Sequence, residues 1–239
     1  MKLDDHDNQI AQSLLKRVMR LHVVLIISWL ALLLAPVTMI VGHLGSHELN
    51  WTRDHISTYA SYAPHSNWIT ASILLSAMSL ACIGISFAKH CEFGRTPLGQ
   101  ITSMILGVSV SGLLLLVSFK ETIPGGIILQ NIDVDVIRQQ ALHDVGLFLF
   151  FTGSVVAAIT AGLVVLMAKT TKIHKVGAII ATTGPLALVA KSHPWPKYLG
   201  IIGKASGLRQ RAAFFCLWTG ALLLLALLSR DEEMKEKCP

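Results

Sequence analysis

Charged residues are scarce in this sequence. Asp, Glu, Lys and Arg make up 14% of 239 residues, 53% are hydrophobic, and mean hydropathy is +0.60. A soluble domain carries about 25% charged residues, so a water-soluble globule is excluded as the simplest reading. Cysteine is scarce too: there are four, and no Cys-x-x-Cys pair. That removes a thiol redox motif. None of the four falls in a loop expected to face outward, so no structural disulfide is expected. No internal repeat and no low-complexity stretch is present. No Asp, Glu, Lys or Arg sits near the middle of a long apolar run. Such charges mark ion paths, proton relays and transport sites, so a pump, a channel or a retinal protein is disfavoured. A flippase with an uncharged polar groove stays open.

What the sequence has is hydrophobic length. Crossing a bilayer takes roughly 20 apolar residues as a helix. The candidate spans are 22–41, 67–88, 99–119, 141–168, 176–190 and 212–229. Open strands cannot satisfy their backbone in lipid, so the fold class expected is all-α integral membrane, a six-transmembrane-helix bundle. The fifth run is the shortest and contains Gly184-Pro185. At about 1.5 Å per residue it falls short of a ~30 Å core, and five spans are the alternative. The chain divides into a cytoplasmic amphipathic segment (1–20), the membrane domain (21–230) and a charged cytoplasmic tail (231–239). In the first, Leu14, Leu15 and Val18 share a helical face beside Lys16, Arg17 and Arg20, a pattern that lies on anionic lipid. The first apolar run lacks a small-residue cleavage site and reads as a retained span.

Lys and Arg set the orientation, because cytoplasmic loops carry their excess. With the N-terminus inside, inner segments hold twelve and outer segments eight. Both termini are therefore expected in the cytoplasm, in a multi-pass protein of the cell inner membrane. Five of the outer cations lie between Lys191 and Arg211 and run against the bias. Beside Trp195 and Tyr198 they suit interfacial anchoring, or an anionic substrate. The net charge of +6 follows from the cytoplasmic bias and does not point to nucleic acid.

Histidine is the other enrichment. Of ten, six (His43, His47, His55, His65, His143 and His193) fall at helix ends or loops on the expected outer face. An apolar bundle has little structural need for so many imidazoles together. His43 and His47 are four apart, and on a continued first helix such a pair can bind zinc, with His55 nearby. Gly42 and Gly45 argue against that continuation, and plain interfacial histidines are the bland reading. The string Asp54-His55-Ile56-Ser57-Thr58 mixes an acid, an imidazole and hydroxyls. A hydroxyl nucleophile needs a base, and the base an orienting acid. A capped turn explains each of these residues singly, with Arg53 pairing to Asp54. His143-Asp144 is expected to open the fourth span, where the helix N-terminus favours Asp144. His143 is there either a general base or ligand, or a headgroup anchor. Arg209 and Arg211 precede the sixth span, where an Arg can pair with Asp144 or hold a phosphate or carboxylate. The loop 42–66 intersperses Leu44, Leu49, Trp51, Ile56 and Tyr59 among polar residues. It is expected to fold back over the helix ends.

The order of these strings resembles an uncharacterised bacterial and archaeal membrane family, domain of unknown function 998. His55-Ile56-Ser57-Thr58-Tyr59-Ala60 matches the hydroxyl-bearing turn after its first helix, and Asn67-Trp68 opens the second. Phe119 ends the third near an acid, here Glu121, and His143 begins the fourth. Gly207-Leu208-Arg209-Gln210-Arg211 matches the string before the last. Thr58 stands where an acid is common, and Lys120 where a proline is common. The resemblance covers about residues 22–229 and implies a six-helix fold without an established activity.

Three functions follow as expectations. The first is a lipid-modifying hydrolase or acyl transferase at the outer interface. In it Ser57 or a metal-bound water attacks, His143 with Asp144 acts as base or ligand, and Arg211 holds an anionic headgroup. The second is a non-catalytic accessory subunit, in which small residues such as Gly107, Ser109, Ser111 and Gly112 pack a membrane-protein partner or a second copy. The third is a haem protein with His43 and His143 as axial ligands.

Overall fold

The computed structural model describes residues 3–46, 49–50, 54–90, 93–122, 133–167 and 206–232. Six helices lie among them: α1 (Leu3–Leu44), α2 (Ile56–Tyr62), α3 (Ser66–Lys89), α4 (Pro97–Ser118), α5 (Val134–Met167) and α6 (Ser206–Glu232). Five of these hold segments long and apolar enough to cross a membrane: His22–Leu44, Ser66–Lys89, Pro97–Ser118, Val134–Met167 and Gln210–Ser229. The chain is an all-helical, multi-pass membrane protein, with no strand among the described residues. The expected span 176–190 lies outside the described residues. α1 runs without a break from Leu3 into the first span.

Expectation and structure part at helix starts. α5 begins at Val134 rather than at 141, and α6 at Ser206 rather than at 212. Hydropathy marks where lipid must be met. A helix satisfies its own backbone and can continue into polar sequence beyond that boundary. His143 and Asp144 therefore lie inside α5, about three turns from its start, and the expected capping role of Asp144 does not hold.

Small residues set the closest packing. α4 and α5 meet at Gly112, Gly146 and Gly153; a Cβ on Gly112 would lie 2.5 Å from the Phe150 nitrogen, and one on Gly153 2.6 Å from Ser109 Oγ. Such contacts replace the hydrophobic drive that is missing between helices in lipid. Thr96 caps α4 by accepting from the Gly99 amide at 3.0 Å, with Pro97 in the first turn, where its missing N–H costs nothing. α1 and α3 are joined by the Ser28 and Ser79 hydroxyls at 3.0 Å.

Pro36 ties α6 to α1. A proline has no N–H, so the carbonyl four residues back, that of Leu32, loses its helical donor. Trp218 of α6 supplies one: its indole nitrogen donates to the Leu32 carbonyl at 2.7 Å. Ser72 of α3 donates to the Ala35 carbonyl at 2.6 Å in the same loosened stretch.

These pairings fix direction. His43 near the end of α1 meets Arg211 near the start of α6, while Trp29 meets Ser229 at the other end. α1 and α6 are antiparallel, and so are α1 with α3, α3 with α4 and α4 with α5. α5 and α6 consequently run the same way. One apolar cluster, around Leu25, Ile83, Val164 and Leu225, fills the half of the bundle near Trp29 and Ser229. The other, around Tyr59, Ile69, Leu113 and Phe150, fills the half capped by α2. The described part of the 42–66 loop does fold back over the helix ends, with Ile56–Ala60 buried.

Candidate functional site

Two polar groups lie at the α2 end. The first is built on Arg211. Its Nε and Nη2 donate to His43 Nε2 at 3.1 and 2.6 Å, and its Nη1 donates to the Asp54 carbonyl at 2.7 Å. A guanidinium only donates, so His43 Nε2 is the acceptor. The proton of that ring sits on Nδ1, which donates to the Met39 carbonyl at 2.7 Å. Tyr59 completes the group. Its ring lies 4.4 Å from that of His43 and 5.0 Å from the Arg211 guanidinium carbon, and its hydroxyl donates to the Leu49 carbonyl at 2.9 Å. Burial pushes the Tyr59 phenol up from its usual pKa; the Arg211 charge opposes this and Asp54 adds to it. Gly207 leaves room for the contact, since a Cβ there would collide with the Asp54 carbonyl and stand 2.8 Å from Arg211 Nη1.

The second group is built on Glu121 and His143. Glu121 is 6% exposed. Its Oε2 accepts from Thr58 Oγ1 at 2.7 Å and Ser57 Oγ at 3.2 Å. The neighbouring Tyr62 phenol is pushed up in pKa by burial first and by Glu121 second. His143 is 2% exposed, and its Nδ1 is bonded to the Phe119 carbonyl at 2.8 Å. A carbonyl only accepts, so Nδ1 carries a proton, and in the neutral ring Nε2 keeps its lone pair. That Nε2 is buried and has no partner. His143 and Ser57 line one cavity of about 20 Å³ together with Gln210, room for about one water molecule. The Ile56 amide donates to Gln210 Oε1 at 2.6 Å. This assigns the carboxamide oxygen to the Ile56 amide and keeps the NH2 out of that bond.

The sequence-derived candidates separate accordingly. Ser57 and His143 share the cavity. Arg211 is not part of its wall, and three of its N–H groups go to His43 and the Asp54 carbonyl, not to Asp144. Asp144 is exposed and accepts from Gln140 of its own helix at 3.0 Å. His43 has both ring nitrogens hydrogen-bonded, His55 stands just before α2, and His47 lies outside the described residues. Among the described residues no three His, Cys, Asp or Glu side chains are grouped to hold a metal. Ser109 and Gly112, considered for partner packing, are buried within the bundle, while Gly107 and Ser111 are exposed. Gln210 and Tyr59 were missed as functional residues, and Glu121 entered only through the resemblance. The signal for Gln210 was its place beside Arg211 at a helix start.

Residues 29–227 match the family described as "Protein of unknown function (DUF998)". The chain belongs to DUF998. Both polar groups of this DUF998 chain fall inside the matched stretch, from His43 to Arg211, and the first turns of α1 fall outside it. No curated protein and no solved structure matches the chain.

Proposed function

We propose that this protein transfers the acyl group of a membrane lipid through Ser57, at the membrane interface. The observation that carries the reading is the buried, unpartnered His143 Nε2 in one cavity with Ser57. A buried acceptor without a partner is costly, and a base needs a free lone pair at the reacting atoms. Ser57 Oγ attacks the acyl carbonyl carbon and passes its proton to Glu121 Oε2, the atom it already faces. The Gln210 NH2 donates to the developing oxyanion. The leaving alkoxide takes the proton from Glu121, and an acyl-serine remains. Water, or a second alcohol, then gives its proton to His143 Nε2 as it attacks, and Ser57 is regenerated by return of that proton.

The test uses hexadecyl fluorophosphonate on the purified protein. Covalent labelling of Ser57, absent in Ser57→Ala and slowed in Glu121→Gln, supports the reading. Labelling of Ser57→Ala equal to that of the parent chain would remove it.

We also infer six crossings, with both termini on the cytoplasmic side of the inner membrane. α5 and α6 run the same way, so the chain leaves Met167 at one end of the bundle and re-enters Ser206 at the other. The excess of Lys and Arg supports the orientation. An impermeant thiol reagent on intact cells should spare Cys91 and Cys238 and label Asn50→Cys; labelling of Cys91 overturns it.

A further inference from the structure

The Ser57–His143 cavity adjoins a second one. This deeper cavity, of about 80 Å³, lies among the membrane-spanning helices, with Leu32, Ile83, Leu106, Ala157 and Trp218 in its wall. Phe150 and Phe214 belong to both walls. Their rings are 5.5 Å apart and tilted by 41°, so this pair stands between the two spaces. We infer that the deeper cavity takes one acyl chain of the lipid whose carbonyl Ser57 attacks, an inference that rests on the reading of Ser57 and His143 above.

Polarity gives the order. Both walls are mainly apolar, but the smaller space carries an imidazole and a carboxamide beside the Ser57 hydroxyl, while the deeper one has only the hydroxyls of Ser76 and Ser154 among aliphatic and aromatic side chains. A head group followed by a tail has that sequence of chemistry. Volume selects the tail. An apolar cavity of roughly 150 Å³ admits a benzene ring. One of about 80 Å³ is too small in volume for a sterol ring system or for two chains, and suits a short stretch of a single chain.

The cavity is not a place where helices failed for lack of small residues. On one face of α5, Gly146 and Gly153 let α4 close onto the backbone. On the face lining the cavity, Ala157, Ala161 and Gly162 are just as small, yet α6 packs far less closely on α5 than α4 does. Among the described residues, the small side chains there meet the cavity and not a neighbouring helix. Ser154, in the same wall, is 7% exposed and its hydroxyl has no partner. Ser76 and Ser109 spend theirs on the carbonyl four residues back. Empty apolar space is destabilising, and an occupant relieves that cost.

The test is photo-crosslinking in phosphatidylcholine vesicles with palmitic acid bearing a mid-chain diazirine. Crosslinks should concentrate in peptides covering 154–165 and 214–224. Filling the space with Ala158→Trp, or independently with Gly162→Leu, should lower them at least tenfold while the thermal midpoint stays within a few degrees. Ser57→Ala should leave them unchanged. Crosslinks spread evenly over lipid-facing positions such as Leu30, Leu33 and Met104 overturn the inference, as does full crosslinking in both well-folded filled variants. Loss of fluorophosphonate labelling with crosslinks intact removes the catalytic reading and leaves the chain site standing. Labelling without localised crosslinks does the reverse.

Discussion

The Arg211 group and the His143 group sit at the same end of the bundle, and they differ in what is left over. Around Arg211, the guanidinium reaches His43 and the Asp54 carbonyl, His43 is bonded through both nitrogens, and the Tyr59 hydroxyl is bonded to Leu49, so no imidazole lone pair is left over. Around His143, one nitrogen is held by Phe119 and the other is unspent beside a hydroxyl. A group with no spare imidazole lone pair makes a latch. An unspent lone pair, held in one orientation and shielded from bulk water, is what a catalyst needs. Counting polar residues cannot tell these apart; counting their remaining donors and acceptors can.

The comparison breaks most sharply at His143. His143→Ala should lower turnover of 4-nitrophenyl palmitate roughly 10²–10⁴-fold. Acylation by Ser57 should persist, giving a burst of one nitrophenolate per chain followed by a stall. Stability should fall by about 2–3 kcal/mol, from the lost Phe119 hydrogen bond and the space left by a buried ring. Loss of the burst together with turnover would place His143 in the first step instead.

Arg211→Ala should act the other way, mainly on stability. It strips His43 and the Asp54 carbonyl of their donor. The expected loss is about 3 kcal/mol by thermal unfolding in detergent. Arg211→Lys should rescue little, because an ammonium lacks the planar fork that spans two partners. A midpoint unchanged in Arg211→Ala would show the latch to be ornamental.

Gln210→Leu touches both groups. It removes the acceptor for the Ile56 amide, about 1 kcal/mol, and the proposed oxyanion donor, roughly 10²–10³ in rate. A variant that loses stability without losing rate beyond the loss of folded protein would confine Gln210 to positioning α2.

Tyr59→Phe is the mildest change, about 1 kcal/mol for the Leu49 hydrogen bond. Its pH dependence has a definite sign. The phenol pKa is raised in the fold, so its contribution is complete below the ordinary tyrosine value of about 10 and is lost as pH climbs through the raised value. Alkaline melting curves of the parent and of Tyr59→Phe should converge there, and be parallel at pH 7–9.

Much of this architecture was legible from hydropathy, because lipid imposes length and polarity on every crossing. The site was legible only as a neighbourhood. Ser57 and His143 were both suspected, and both line one cavity. The partner assigned to Arg211 was not readable. It reaches residues 157 and 168 positions away, and no local pattern specifies which of several polar groups at a helix end will converge. Asp144 looked like a helix-start acid because the apolar run begins there, while the helix itself begins ten residues earlier at Val134. Glu121 follows the last turn of α4, where helical periodicity has ended and no longer tells which way a side chain points.

The latch also has a history within each molecule. A chain is made from its N-terminus, and its early segments settle first. His43, Asp54 and Ile56 are synthesised long before Gln210 and Arg211, so for most of translation they lack the partners that α6 supplies. A ribosome that stalls before residue 206 leaves a nascent chain with Ser57, Glu121 and His143 present but without Gln210 or Arg211 to hold α2 over them. The last helix to be made thus signs off the first loop, and an interrupted copy is recognisable by an unfastened end.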